Sequence, residues 1–264
     1  MSRADLTASI EGIGFWADGL PSWPAARAFA SGGAAADTAT AARPAPRLLA
    51  PNERRRAPDT VAVALEVALA ACTAAGRDPA TLPSVFASTH GDLGITDYMC
   101  ATLAGEPQAI SPTKFHNSVH NAAAGYWSIG TGCHAPSTAI SSFQASFAQG
   151  LLEALAQLPA GAEAVLLSAY DGDAPGPLAA VSPSRGLLGG ALVLARAQRP
   201  GAPRLRATLV DATAPPPRGP LAERLRGNAM APMLPLFQAL ASGDDLVFLH
   251  AGPARALRVE IADA

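Results

Sequence analysis

The segment from Gln144 to Leu158 constrains the fold more than any other. Phe143, Phe147, Leu151, Leu155 and Leu158 recur at helical spacing and mark one face. The other faces carry Ala145, Ala148, Leu152, Ala154 and Ala156 rather than charges. A helix that is apolar nearly all round has to be covered on both sides. The chain can supply that cover: 49% of its 264 residues are hydrophobic, enough for a sizeable core. Just before this helix, "STAIS" from Ser137 reads as a short strand, so strand turns to helix at Gln144.

The same alternation runs along most of the chain. "SIEGIGFWA" reads as an N-terminal strand, and "VAVALEVALAAC" as a helix that Gly76 ends. Ser84 to Thr89 is a strand, followed by a helix that Asp92 caps. A further helix is expected to start at Asn117 or Ser118 and to run through "VHNAAAGYWSIG". After "STAIS" and its helix, "AVLLSAY" and "GALVLARA" give two strands joined by the polar loop from Asp171 to Arg185. The order predicts an α/β fold with parallel crossovers, its layered sheet covered on both faces. We read residues 1–264 as a single domain in which 1–196 carries this pattern and 204–264 is a short C-terminal extension. The extension holds the strand "RLRATLVDA", a Pro-rich stretch, two helices between Leu221 and Ala241, and the strands "DLVFLHA" and "LRVEIA".

Charge and cysteine usage exclude several classes. The formal net charge is -2, and the run Glu53-Arg54-Arg55-Arg56 is balanced by Glu53 and Asp59, so no nucleic-acid partner is expected. Asp5 and Glu11 interrupt any secretory apolar segment. Thr60 to Cys72 is too short for a bilayer and contains Glu66, so it reads as a buried helix and no membrane span is expected. Cys72, Cys100 and Cys133 are odd in number and lack a CxxC pair, which fits a reducing cytoplasm. Cys72 and Cys100 read as cysteines of helix cores.

His116 and His120 have the spacing of a zinc helix, but no Glu follows the first, and packing or subunit contact is the better reading. Cys133 and His134 are adjacent and do not face each other, so they form no nucleophile–base pair. GxSxG, P-loop and GxGxxG patterns are missing, and neither metal nor cofactor is expected. The start of the long helix is an electropositive place that would convert a cysteine to thiolate. Gln144 can only donate and accept hydrogen bonds there.

Three segments carry a family likeness: "IEGIGFW", "HNSVHNAAAGYWSIGTG" and "APSTAISSFQASFAQGLLEA". Over residues 8 to 196 the chain resembles the N-terminal half of the β-ketoacyl synthases of the thiolase-like superfamily. In active members the third segment reads Gly-Pro-Ser, a strand, then Thr-Ala-Cys-x-Ser. Pro136-Ser137 sets the register, and Gln144 stands at the position of the nucleophilic cysteine. This replacement resembles the chain length factors of type II polyketide systems. "RLLAPNERRRAPDTVAVALE" and "SPTKFHNSVHNAAAGYWSI" are similar to the truncated forms found with aryl polyene and xanthomonadin-type pigment systems.

The resemblance implies a thiolase-like fold with a reduced C-terminal part. It implies a catalytically silent subunit in a heterodimer with an active β-ketoacyl-ACP synthase, which would bind most of the acyl carrier protein's acyl chain. Carried onto this chain, the family's dimer contact falls on Ser137, Ala139, Ile140 and Ser141 of the strand. It also falls on Phe115, His116, Asn117, His120 and Trp127 of the neighbouring segment. Active condensing enzymes add two histidines in their C-terminal half, where this chain offers only His250. Two other readings stay open: a malonyl-ACP decarboxylase that uses Gln144, and a free-standing homodimeric acyl-binding protein.

Overall fold

The computed structural model describes residues 6–33, 35–37 and 43–262. Its strands are β1 (Leu6–Ala17), β2 (Ser84–Ala87), β3 (Ser137–Ile140), β4 (Ala164–Asp171), β5 (Leu188–Ala195), β6 (Arg204–Val210), β7 (Leu246–Gly252) and β8 (Arg255–Ala262). They form one eight-stranded sheet in the order β3-β2-β4-β5-β1-β6-β8-β7. Strands from the C-terminal stretch thus continue the sheet beyond β1.

The helices are α1 (Trp23–Ala30), α2 (Pro51–Arg56), α3 (Asp59–Ala75), α4 (Leu93–Gly105), α5 (Pro112–His116) and α6 (Ala122–Thr131). After β3 come α7 (Ser146–Gln157), α8 (Leu178–Val181), α9 (Pro220–Leu225) and α10 (Leu234–Ser242). Apolar side chains of α3 and α6 pack on one face of the sheet, and those of α1, α7 and α10 on the other. The centre alternates accordingly: Leu166 and Tyr170 of β4 join the first cluster, Val165 and Leu167 the second. Every residue of β4 and β5 is buried, as strands covered on both faces require.

The expected parallel crossovers hold only at one end. β2 pairs in parallel with β3 and β4, whereas β4–β5, β5–β1 and the pairs beyond are antiparallel. Between β4 and β5 the chain offers only the four-residue α8 and loop, and a direct return reverses strand direction.

Helix α3 lies directly against β1. A Cβ on Gly14 would sit 2.0 Å from the carbonyl oxygen of Val67, and one on Gly12 2.1 Å from that of Ala71. Only glycine allows a helix backbone so near a strand. At the helix end, Gly76 is left-handed at φ 66°, as expected for the stop. Arg77 then clamps Glu11 of β1 through Nε–Oε2 at 2.7 Å and Nη2–Oε1 at 3.0 Å.

Three helical expectations are corrected. α7 is covered on one face: Gln149, Glu153 and Gln157, four residues apart, form a half-exposed polar stripe, and Ala156 is exposed. The helix buried around most of its surface is α3, continuous in the interior from Thr60 to Leu65. The helix expected from Asn117 or Ser118 starts only at Ala122, as α6, and the short α5 ahead of it stops at His116. Between them Ser118 Oγ donates to Phe115 O at 2.8 Å, a local bond that competes with the helical ladder. Cys100 is exposed on α4 rather than in a core, while Cys72 and Cys133 are buried. Burial pushes the Cys72 thiol up to about 12, so it stays protonated at neutral pH.

Candidate functional site

β3 leads through Ser141 and Ser142 into a tight turn, Phe143–Ala145, and then into α7. Gln144 therefore stands just before the helix rather than in it. Phe143 is held at φ 48°, a left-handed conformation that costs a bulky residue about 1–3 kcal/mol. Ser146 Oγ donates to the Phe143 carbonyl at 2.6 Å and accepts from Ser142 N at 2.8 Å. Ala145 N closes the turn on Ser142 O at 2.9 Å. The result is that Phe143, 76% exposed, and Gln144 both project outward.

They project into a cleft of about 830 Å³. His90, Glu223 and Arg226 supply its charged and titratable groups, and Val181 faces it with Phe143. The described residues of its lining include one imidazole, His90, and no cysteine. The loops around it are tied together from below. Asp171, at the end of β4 and 1% exposed, accepts from Ser88 Oγ at 2.7 Å, Thr89 N at 2.9 Å and His90 N at 3.3 Å. Burial raises the Asp171 pKa, and those same hydrogen bonds oppose the rise. Asn228 spans the other side, donating to Asp171 O at 3.2 Å and Gly186 O at 2.7 Å.

Neither Asp171 nor Asn228 stands out in the sequence. Asp171 opens a stretch rich in Asp, Gly and Pro and reads there as loop; its one signal is its place directly after the apolar run "AVLLSAY".

The candidate contact residues divide into two groups. Among the described residues β3 pairs only with β2, which leaves its other edge open. Ser137 and Ser141 are exposed, and Ala139 and Ile140 are half-buried. Ser141 Oγ also donates to Thr89 O at 2.9 Å, which ties this edge to the cleft. Phe115 is 62% exposed and His116 is exposed. Asn117 and Trp127 do not share this surface: Asn117 is 3% exposed, and Trp127, at 0%, packs 6.2 Å from the ring of Phe86. Trp127 faces the sheet because α6 lies on it, which places the bulkiest residue of that helix in the core.

The two histidines at zinc spacing part company as well. His116 packs edge-on to Tyr126, while His120 Nε2 lies 3.0 Å from Ser88 O. No metal-holding group of side chains occurs among the described residues. The Cys133 thiol points to Leu82 O at 3.5 Å, and His134 is exposed. His250 lies on β7, a strand that packs against the Phe143–Ala145 turn, and Gln149 Nε2 donates to the neighbouring Ala251 O at 2.9 Å. His250 itself is not in the cleft lining.

The family model described as "Beta-ketoacyl synthase, N-terminal domain" matches residues 26–243. Among curated proteins no sequence matches. Solved structures do. One is the ketosynthase ApeO in complex with its chain length factor ApeC from Xenorhabdus doucetiae, with a TM-score of 0.75 and 22% identity, covering 97% of this chain and 99% of that chain. The AntDE:AntF complex, a type II polyketide acyl carrier protein with its ketosynthase bound to the hexaketide, gives 0.72 at 13% identity over 99% and 100%. The ishigamide ketosynthase/chain length factor gives 0.67 at 16% identity over 97% and 99%. At these identities the likeness is one of fold, and it is thiolase-like.

Proposed function

The chain belongs to the beta-ketoacyl synthase N-terminal domain family, and on that premise we propose that it is a non-catalytic, chain-length-factor-like subunit of an active β-ketoacyl-ACP synthase. The observation that carries this reading is the turn at Gln144. Condensation needs a nucleophile to hold the acyl group and donors to stabilise the developing enolate. Here an amide stands at the strand-to-helix turn, and the described lining of its cleft offers one imidazole and no thiol. The chain shapes the site of another subunit instead of working one of its own.

The pairing surface is the open edge of β3 with the adjoining exposed part of the 115–129 segment. An unprotected edge strand favours addition of a partner strand. Beside it, Phe115, Val119 and Ile129 are 62%, 50% and 79% exposed, an apolar surface that a partner would cover. Ser137, Ala139, Ile140, Ser141, Phe115, His116 and His120 remain in the proposed contact, and Asn117 and Trp127 support it from within. The acyl chain arrives on an acyl carrier protein and is limited in length by this subunit, in a pathway of the aryl polyene type. No helix among the described residues is long and apolar enough to cross a membrane, and we place the complex in the cytoplasm.

The test is condensing activity of a candidate partner β-ketoacyl-ACP synthase, measured with and without this chain. Activity restored by both the wild-type chain and its Gln144→Ala variant supports the silent-subunit reading. A second reading has one observation in its favour, since His90 and Arg226 share the cleft with Gln144 and could meet a malonyl carboxylate. In that case the purified chain alone releases carbon dioxide from malonyl-ACP, and the Gln144→Ala variant does not.

A further inference from the structure

Asp171 is a buried carboxylate, 1% exposed, and the function proposed above gives it no role. A buried carboxylate is costly unless donors surround it. Its side-chain bonds from Ser88, Thr89 and His90 all come from one loop, the one that leaves β2 for the cleft. That loop holds its neighbours in turn. Thr89 O accepts from Ser141, and the Thr89 hydroxyl is shared between the carbonyls of Phe143 and Ala229 at 3.5 and 3.4 Å. On its far side the Asp171 carbonyl accepts from Asn228, beside Ala229. Three walls of the cleft, at residues 89–90, 143 and 228–229, are thus linked through the Thr89 hydroxyl, and the loop that carries Thr89 hangs on the Asp171 carboxyl group.

We infer that Asp171 is a positioning residue that sets the shape of the Gln144 cleft, acting through the Thr89–His90 loop. With an amide in its place, one acceptor oxygen is replaced by an N–H that faces another donor, and the loop no longer fixes the left-handed turn at Phe143. The inference rests on the proposal that this cleft is a working face of the chain. Its test needs no partner, so it can fail or succeed separately from that proposal.

The test places 4-fluorophenylalanine at position 143 and reads its fluorine resonance in the isolated chain. Asp171→Asn is expected to shift the resonance or split it in two, and Ser88→Ala to shift it less. Ser168→Ala is the control: it deletes a buried bond on the same strand, from Ser168 Oγ to Ala64 O at 3.1 Å, away from the cleft, and is expected to leave the resonance in place. A resonance unchanged by both Asp171→Asn and Ser88→Ala overturns the inference, whatever happens to the melting temperature. An equal shift with Ser168→Ala overturns it too, because the effect is then general loosening. If Asp171→Asn does not fold, Ser88→Ala decides alone.

Discussion

Ser146 Oγ donates a 2.6 Å hydrogen bond to the carbonyl of Phe143, the residue whose backbone is left-handed at φ 48°. The helix start thereby holds the strained residue that presents Gln144. Removing the hydroxyl and removing the strain should act in opposite directions. Ser146→Ala should lower stability by about 1 kcal/mol, the net value of one such bond. Phe143→Gly should cost nothing or stabilise by about 1 kcal/mol, since glycine adopts positive φ without penalty and the ring is exposed. Urea unfolding of the two variants checks the pair.

Trp127 and Phe115 lie in the same stretch of sequence and should behave in opposite ways. Trp127→Ala removes a side chain with no exposure and should cost about 3–5 kcal/mol in the isolated chain. Phe115→Ala should change that stability by less than about 0.5 kcal/mol while weakening association with the ketosynthase. Chemical denaturation read beside copurification separates the two effects.

The close seating of α3 on β1 makes Gly14 irreplaceable. Gly14→Ala drives a methyl group into the Val67 carbonyl and should cost about 3 kcal/mol or prevent folding. Gly125, inside α6, has nothing within 4 Å of an added Cβ. Gly125→Ala should therefore stabilise by about 1 kcal/mol through helix propensity. Thermal melting of both variants gives the contrast.

Asp171 makes stability depend on pH in a defined direction. Its carboxyl pKa is raised in the fold by burial, so its contribution is fully present below the unfolded-state pKa and is lost as pH rises through the folded value. Asp171→Asn lacks that titration. The stability of the wild type relative to Asp171→Asn should therefore fall as pH rises from about 4, by up to about 1.4 kcal/mol per unit across the window. Unfolding free energies measured from pH 4 upward read the slope. A flat difference, or one that rises with pH, contradicts the assignment.

Much of this molecule is legible in its sequence, because local chemistry decides it. Gly76 ends α3 and Asp92 caps α4 through the amide of Ile95, as their residue types dictate. β3 and the strand-to-helix turn at Gln144 follow from periodicity. What escapes are features set by partners distant in the chain. Counting alanines does not show which side of α7 meets the sheet, and the three polar residues spaced by four were the missed signal. Trp127 is assigned to the surface by family likeness and to the core by the seating of α6 on Phe86. Asp171 gains its meaning only from amides 82 residues away, which no local pattern reveals.

The central claim is pairing with a ketosynthase through the edge of β3, and association of an Ala139→Glu variant tests it most directly. Tagged wild-type chain and variant are each co-expressed with the candidate partner ketosynthase, purified, and sized by light scattering. The account expects a one-to-one heterodimer for the wild type and a folded, unpaired chain for Ala139→Glu. Normal pairing of the variant, or a wild-type homodimer that ignores the ketosynthase, contradicts it.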